Sequence, residues 1–189
     1  MSFSWSVLFG FLMALAAVNG QTELSIVSRV DWRARPPNGE MTMMTLPLSR
    51  AIIAHTAGRG CTDDQSCAAQ VASIQTYQMM RMKYSDISYH YLVGGNGLVY
   101  EGRSPSQQGA IAAGNNAGNL AIAFIGNFEE QPPTDAALAA AQSLLDHAVR
   151  QGQLAENYQL VGHRQLSATK SPGDALYVVV QSWPHWSSI

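Results

Sequence analysis

The chain has 189 residues, a formal net charge of −2 and 47% hydrophobic residues, which suits one compact domain around a single core. Its charged residues make up only 13% and form no run, and lysines and arginines stand singly, so there is no basic stripe to neutralise phosphates and nucleic acid is excluded as a partner. Any charge on a ligand must be met by one or two local side chains.

Residues 1–20 carry no charged side chain and contain the apolar run Val7 to Val18. Spanning a bilayer takes roughly 20 apolar residues, so the run is too short. It ends in the small-residue stretch Val18-Asn19-Gly20 and reads as a secretory signal peptide cleaved near Gly20, leaving one domain over 21–189. The pattern lacks a basic residue at its start, and the competing reading is a buried N-terminal helix. No later stretch is long and apolar enough to anchor the chain, so a secreted, extracellular protein without a membrane span is expected. Secretion decides how Cys61 and Cys67 are read: in an oxidising compartment, two thiols at this spacing are expected to form a disulfide, and the spacing is not that of a C-x-x-C redox motif.

Arg33 to Pro47 reads as a loop, and Ala51 to His55 as a short buried strand stopped by Gly58 and Gly60. Thr62 with Gln65 forms a capping-box pattern, predicting a helix from about Asp63 to Lys83 with Cys67, Val71, Ile74 and Gln78 on one face. Tyr89 to Val93 and Leu98 to Glu101 are strand-like runs joined by Gly94-Gly95-Asn96-Gly97, a hairpin signal. Those glycines lack the G-x-G-x-x-G spacing of a nucleotide loop. Leu120 to Ile125 reads as a central strand. Pro132-Pro133-Thr134 opens a helix with Leu138, Ala141, Leu145 and Ala148 on one stripe, broken near Gly152, and Tyr158 to Gly162 is the last strand. In Ser171-Pro172-Gly173-Asp174, Ser171 fits an N-cap, Pro172 the first helical position and Asp174 a capping box. The order of elements predicts an α/β fold, a single mixed β-sheet flanked by helices.

The segments Ala51 to Gly58, Asp86 to Tyr91, Gly97 to Arg103, Ile122 to Phe128 and Gly162 to Tyr177 resemble the peptidoglycan recognition protein family, which is related to phage-type zinc amidases. In the family's amidases zinc is held by the first imidazole of an Ile-His-His-Thr run, the histidine of Gly-His-Arg and the thiolate of a Cys-Pro-Gly turn. The matching positions here carry Ala54, His163 and Ser171. Catalytic zinc needs three protein ligands and an open position. The resemblance therefore implies an amidase-like scaffold with no catalytic residues, no metal and no cofactor. His55 cannot replace residue 54, because adjacent strand residues face opposite sides.

The resemblance further implies a groove for the stem peptides of bacterial peptidoglycan, lined by His55, Thr56, Gln78, Met82, Lys83, Tyr84, Tyr89, Ile111, Asn116 and His163. Histidine is usual in the family where Gln78 and Ile111 stand, and arginine at Met82. Lys83-Tyr84 matches neither the Gly-Trp signature of diaminopimelate-type recognition nor the Asn-Phe signature of the lysine type, and Gly118 replaces an arginine that pairs with the diaminopimelate carboxylate. The reading that follows is a secreted, non-catalytic pattern-recognition protein of innate immunity. One alternative is a co-receptor working through contact with another recognition or immune signalling protein. The other is a zinc-dependent N-acetylmuramoyl-L-alanine amidase.

Overall fold

The computed structural model describes residues 24–189, so the expected leader at 1–20 lies outside the described residues. Six strands, β1 (Ile26–Val27), β2 (Leu48–His55), β3 (Tyr91–Val93), β4 (Val99–Glu101), β5 (Asn119–Phe124) and β6 (Leu154–Gly162), form one sheet in the order β1-β4-β3-β5-β2-β6. The hairpin β3–β4 is antiparallel and the other pairings are parallel. This is the expected mixed sheet. β2 lies beside β5 in the interior of the sheet, and Ala51 to His55 and Leu120 to Phe124 are buried along their whole length, as strands covered on both faces should be.

Side chains alternate between the two covers. Ile53, Val93, Leu120, Ile122 and Leu160 pack against α2 (Asp135–Arg150), while Leu92 and Tyr100 pack against α1 (Asp64–Met80) with Cys67 and Val71. In α2, Leu144 and Leu145 are buried, each stabilising the docked helix by roughly 1.5–3 kcal/mol. Thr134 caps α2 by accepting from the Ala137 N–H at 3.2 Å, and Gly152, with φ +65°, ends it. Leu138 is only partly buried; Ala137 and Leu144 join Ala141, Leu145 and Ala148 on the stripe.

Two helix starts differ from the sequence expectation. The N-cap of α1 is Asp63, one residue later than Thr62, because its carboxylate accepts from the Ser66 N–H at 2.9 Å and Ser66 Oγ returns a bond to Asp63. A carboxylate suits the positive end of the helix dipole better than a hydroxyl does. The helix stops at Met80, and its buried face adds Gln75 to Cys67, Val71 and Gln78: the Gln75 amide bonds the Arg35 N–H and carbonyl and the Asp86 carboxylate. The third helix, α3 (Asp174–Val180), has Gly173 as N-cap with no side-chain cap, so Ser171 and Asp174 do not play the capping roles their pattern suggests. The Phe128 carbonyl caps it instead, accepting from the Ala175 and Leu176 N–H groups at 3.1 and 3.4 Å. Gly173 takes φ +93°, and a Cβ there would lie 2.2 Å from that same carbonyl oxygen, so this approach requires glycine.

The hairpin closes through a turn from Gly94 to Gly97, with Gly97 at φ +80° and the Gly94 N–H donating to the Leu98 carbonyl. Cys61 and Cys67 are disulfide-bonded, tying the segment after β2 to the first turn of α1.

Candidate ligand-binding groove

Where β2 and β6 end, the fold gathers the three positions that the resemblance assigns to zinc. The ladder runs to Ile53 opposite Gly162, which sets Ala54 beside His163. Beyond that point β6 has ended, and the His55 N–H would have no partner. Ser171 Oγ supplies one, accepting from it at 3.0 Å. The serine hydroxyl is thus a backbone anchor across 116 positions of sequence.

His163 donates from Nε2 to the Ile111 carbonyl at 2.7 Å, which leaves Nδ1 deprotonated, buried and without a partner. Burial lowers its pKa, so the ring is neutral at neutral pH. That orphaned lone pair has the chemistry of a metal ligand, but its neighbours do not complete the set. Ala54 offers no donor, the Ser171 hydroxyl stays protonated and already serves His55, and among the described residues no group of three His, Cys, Asp or Glu side chains comes together. The residues present do not fit catalytic zinc.

A cavity of about 450 Å³ opens from this end of the sheet along α1. Of the expected site residues, Thr56, Gln78, Met82, Tyr84, Tyr89, Ile111 and His163 line it. Lys83 and Asn116 line an adjoining cavity that also includes Tyr84 and Ala110. His55 lines neither; it is 5% exposed, on the sheet face opposite Ala54, with Nδ1 accepting from the Phe128 N–H at 3.2 Å. Burial lowers its pKa, opposed by the nearby Glu129 carboxylate and assisted by Arg164 and His163.

Several lining groups have already committed their polar atoms. Gln78 Nε2 donates to Ser88 Oγ at 2.7 Å and its Oε1 accepts from the Ser88 N–H at 2.8 Å. Thr56 Oγ1 accepts from the Gly126 N–H at 2.9 Å. Asn116 Oδ1 accepts from the N–H groups of Ile111 and Ala112, shaping the loop that forms one wall. Tyr89 is pushed up to about 12 by desolvation, with Ser88 opposing, so its phenol stays protonated and can both donate and accept. At Gly118, φ is +73°, a conformation that an arginine would take only with strain.

The other wall is a stripe of α1 that the sequence reading did not assign to the groove: Gln70, Ser73, Ile74 and Tyr77. Their spacing of three, four and seven residues marks one helix face and was the available signal. Ile74, on the face it shares with Cys67, Val71 and Gln78, is half-buried: it packs against the core beneath α1 and also belongs to this wall.

The mixed sheet with a cavity at its strand ends defines an amidase-like domain, and the family model described as N-acetylmuramoyl-L-alanine amidase matches residues 44–174. The chain belongs to the peptidoglycan recognition proteins: over 176 residues it is 58% identical to peptidoglycan-recognition protein SD of Drosophila melanogaster, covering 93% of this chain and 95% of that protein. The crystal structure of Drosophila PGRP-SD superposes with a TM-score of 0.87 at 60% identity, covering 88% of this chain and 98% of that one. The complex of tracheal cytotoxin with the ectodomains of PGRP-LCa and PGRP-LCx matches at 43% identity and a TM-score of 0.85, covering 87% of this chain and 99% of that one. Human PGRP-IβC in complex with glycosamyl muramyl pentapeptide matches at 43% identity and a TM-score of 0.83, again over 87% and 99% of the two chains. Among the described residues no helix is long and apolar enough to cross a membrane.

Proposed function

We propose that the protein is a secreted, non-catalytic recognition protein that binds the stem peptide of bacterial peptidoglycan in the groove and promotes innate immune signalling. The observation that carries the non-catalytic part is the donor set at the strand ends. One imidazole lone pair remains at His163, and the positions that would complete the ligand set hold a methyl group and a hydroxyl engaged by the His55 N–H. With no three-ligand set, no water can be activated there as in a zinc amidase. Relatives with the same fold hold tracheal cytotoxin and a muramyl pentapeptide, which supports the ligand class.

The test has two arms. Protein purified and dialysed with zinc should retain no stoichiometric metal and release no stem peptide from muropeptides, while calorimetry should detect binding of muropeptides of the lysine or the diaminopimelate type. Zinc-dependent release of peptide would sink the non-catalytic reading. A second reading, action through contact with another recognition protein, draws on the exposed apolar rim of Tyr77, Met80 and Met82 beside the groove. It gains if neither muropeptide binds.

A further inference from the structure

On the side of the sheet away from the groove, α2, β6 and the C-terminal segment enclose a second cavity of about 260 Å³. Leu145, Tyr158, Trp183, Pro184 and His185 form its wall, and the exposed Gln142 and Asp146 of α2 stand at its rim. Its last wall is built by the C-terminal segment, which clamps onto β6 through the Leu160 N–H bonded to the His185 carbonyl at 2.7 Å and the Ser187 N–H bonded to the Leu160 carbonyl at 2.9 Å. His185 is held at φ +65°, an uncommon conformation for a residue with a side chain. From there its ring stacks on Tyr158 at 4.2 Å with an interplanar angle of 20°.

Tyr158 is the informative member. Only 5% of it is exposed, yet its hydroxyl has no protein hydrogen-bond partner among the described residues, whereas the Tyr91 hydroxyl donates to Gln153 and the Tyr100 hydroxyl accepts from Asn96. Burial, together with the Asp146 carboxylate, pushes its phenol up to about 12, so it is a neutral donor and acceptor facing the cavity. The Tyr158 hydroxyl is therefore not sealed in the core: it opens onto the cavity, where water or a ligand can complete its hydrogen bonds.

The lining also selects a ligand class. It contains no lysine or arginine, so an anion would meet only the Asp146 carboxylate. A cation would meet that same carboxylate, but Asp146 stands exposed and solvent-screened at the rim and no open aromatic face joins it. The ring faces that bind cations well are those of tryptophan, tyrosine and phenylalanine, but His185 covers a face of Tyr158, and Trp183 is 7% exposed. What remains is a neutral ring that can lay its C–H face on an apolar wall and present hydroxyls to a carboxylate, an amide and a phenol. The volume lies just below the roughly 300 Å³ at which drug-sized pockets begin, enough for a single ring.

We propose that this cavity is a saccharide subsite, in which one sugar ring packs against the Leu145, Pro184 and His185 wall and its hydroxyls bond Asp146, Gln142 and the Tyr158 hydroxyl. The subsite is independent of the groove reading and lies on the other face of the sheet. A chain holding a glycan there and a peptide in the groove would engage a polymer at two points and bind it more tightly than either site alone.

The test is a titration of the isotope-labelled full domain with N-acetylglucosamine, with glucose, and with tetramethylammonium chloride as the cationic control, followed by amide and indole NMR shifts. Saturable shifts of Gln142, Asp146, Tyr158 and Trp183 by one of the sugars are expected. Asp146→Asn should weaken the dissociation constant roughly tenfold, and Tyr158→Phe by roughly threefold to tenfold, as loss of one charged or one neutral hydrogen bond requires. Asp146 is exposed on α2, so its variant carries the test even if the tyrosine variant folds poorly. The proposal is overturned if neither sugar moves these signals, if only the cation does, or if both substitutions leave sugar affinity unchanged. Thr56 and Ile111, in the groove, report muropeptide binding separately, so failure at one site is distinguishable from failure at the other.

Discussion

Acid should loosen this fold through one buried ring, that of His90. It is fully buried, and both nitrogens are spoken for: Nδ1 accepts from the Ala121 N–H of β5 at 2.7 Å, and Nε2 donates to the Gln107 carbonyl at 2.8 Å. This fixes the tautomer and ties the 104–110 loop, which leads into the groove at Ala110, to the centre of the sheet. Protonating Nδ1 would turn its bond with Ala121 into two opposed N–H groups in a dry site. Desolvation therefore lowers the His90 pKa from 6.5 to about 4, with the Gln107 carbonyl pulling it upward and the nearby Arg103 guanidinium pushing it further down. The unfolded chain binds this proton near pH 6.5, so between pH 6.5 and 4 it holds more protons than the native state and stability falls with pH. The contribution is fully present above pH 6.5 and lost as pH drops through about 4. A shift from 6.5 to about 4, at 1.36 kcal/mol per unit, amounts to about 3 kcal/mol. That is a large share of the 5–15 kcal/mol typical of a domain.

The assay is urea unfolding at pH 7 and pH 4 for the native protein and for His90→Gln, whose amide does not titrate. The variant will be less stable at pH 7, but the quantity that matters is the slope. The native protein should lose about 3 kcal/mol more than the variant between the two pH values. His55 and His163 also have lowered pKa values and add losses of the same sign, but they are common to both proteins and cancel. Parallel losses in the two proteins would refute the reasoning.

Other substitutions probe the strand ends. Ser171→Ala removes the one acceptor that the His55 N–H has among the described residues and should cost roughly 1–3 kcal/mol in urea unfolding, with no change if water replaces the hydroxyl. Ala54→His combined with Ser171→Cys should bind one zinc by elemental analysis, because His163 Nδ1 is already bare and adjacent; a metal-free double variant would show that the local geometry, and not the ligands alone, has changed. Reducing the disulfide should destabilise by only ~2 kcal/mol, since it closes a short loop.

The elements most legible in the sequence were those whose information is local. β2 and β5 read as buried apolar runs, the Gly94 to Gly97 turn joined the hairpin strands, and Thr134 and Gly152 bounded α2. The groove's polar state was not legible, because it depends on partners remote in sequence. Nothing in the chain announces that Gln78 spends both ends of its amide on Ser88, or that Asn116 turns inward to two backbone N–H groups. Ile74 lies on the expected face, but an apolar residue at helical spacing fits a core or a groove wall equally well, and only the buried Gln75–Asp86 bond shows which way the helix is rotated.

Ser171 carries the same lesson into function. Ser-Pro-Gly-Asp satisfies the local rules for a helix start, yet a carbonyl from the β5–α2 connection caps α3 and leaves the serine free for another task. That task, accepting the His55 N–H, exists because β6 ends one residue too early to supply a carbonyl, and the geometry asks for an acceptor there whatever the domain's activity. A hydroxyl meets that demand as well as a thiolate would, and without a buried negative charge to compensate. Replacing a metal-binding sulfur by oxygen at this position can therefore abolish zinc binding while the strand end keeps its hydrogen bond. His163 is held by the same logic: its Nε2 bond to Ile111 shapes the groove wall with or without a metal on the other nitrogen, so the imidazole outlasts the site it would have served.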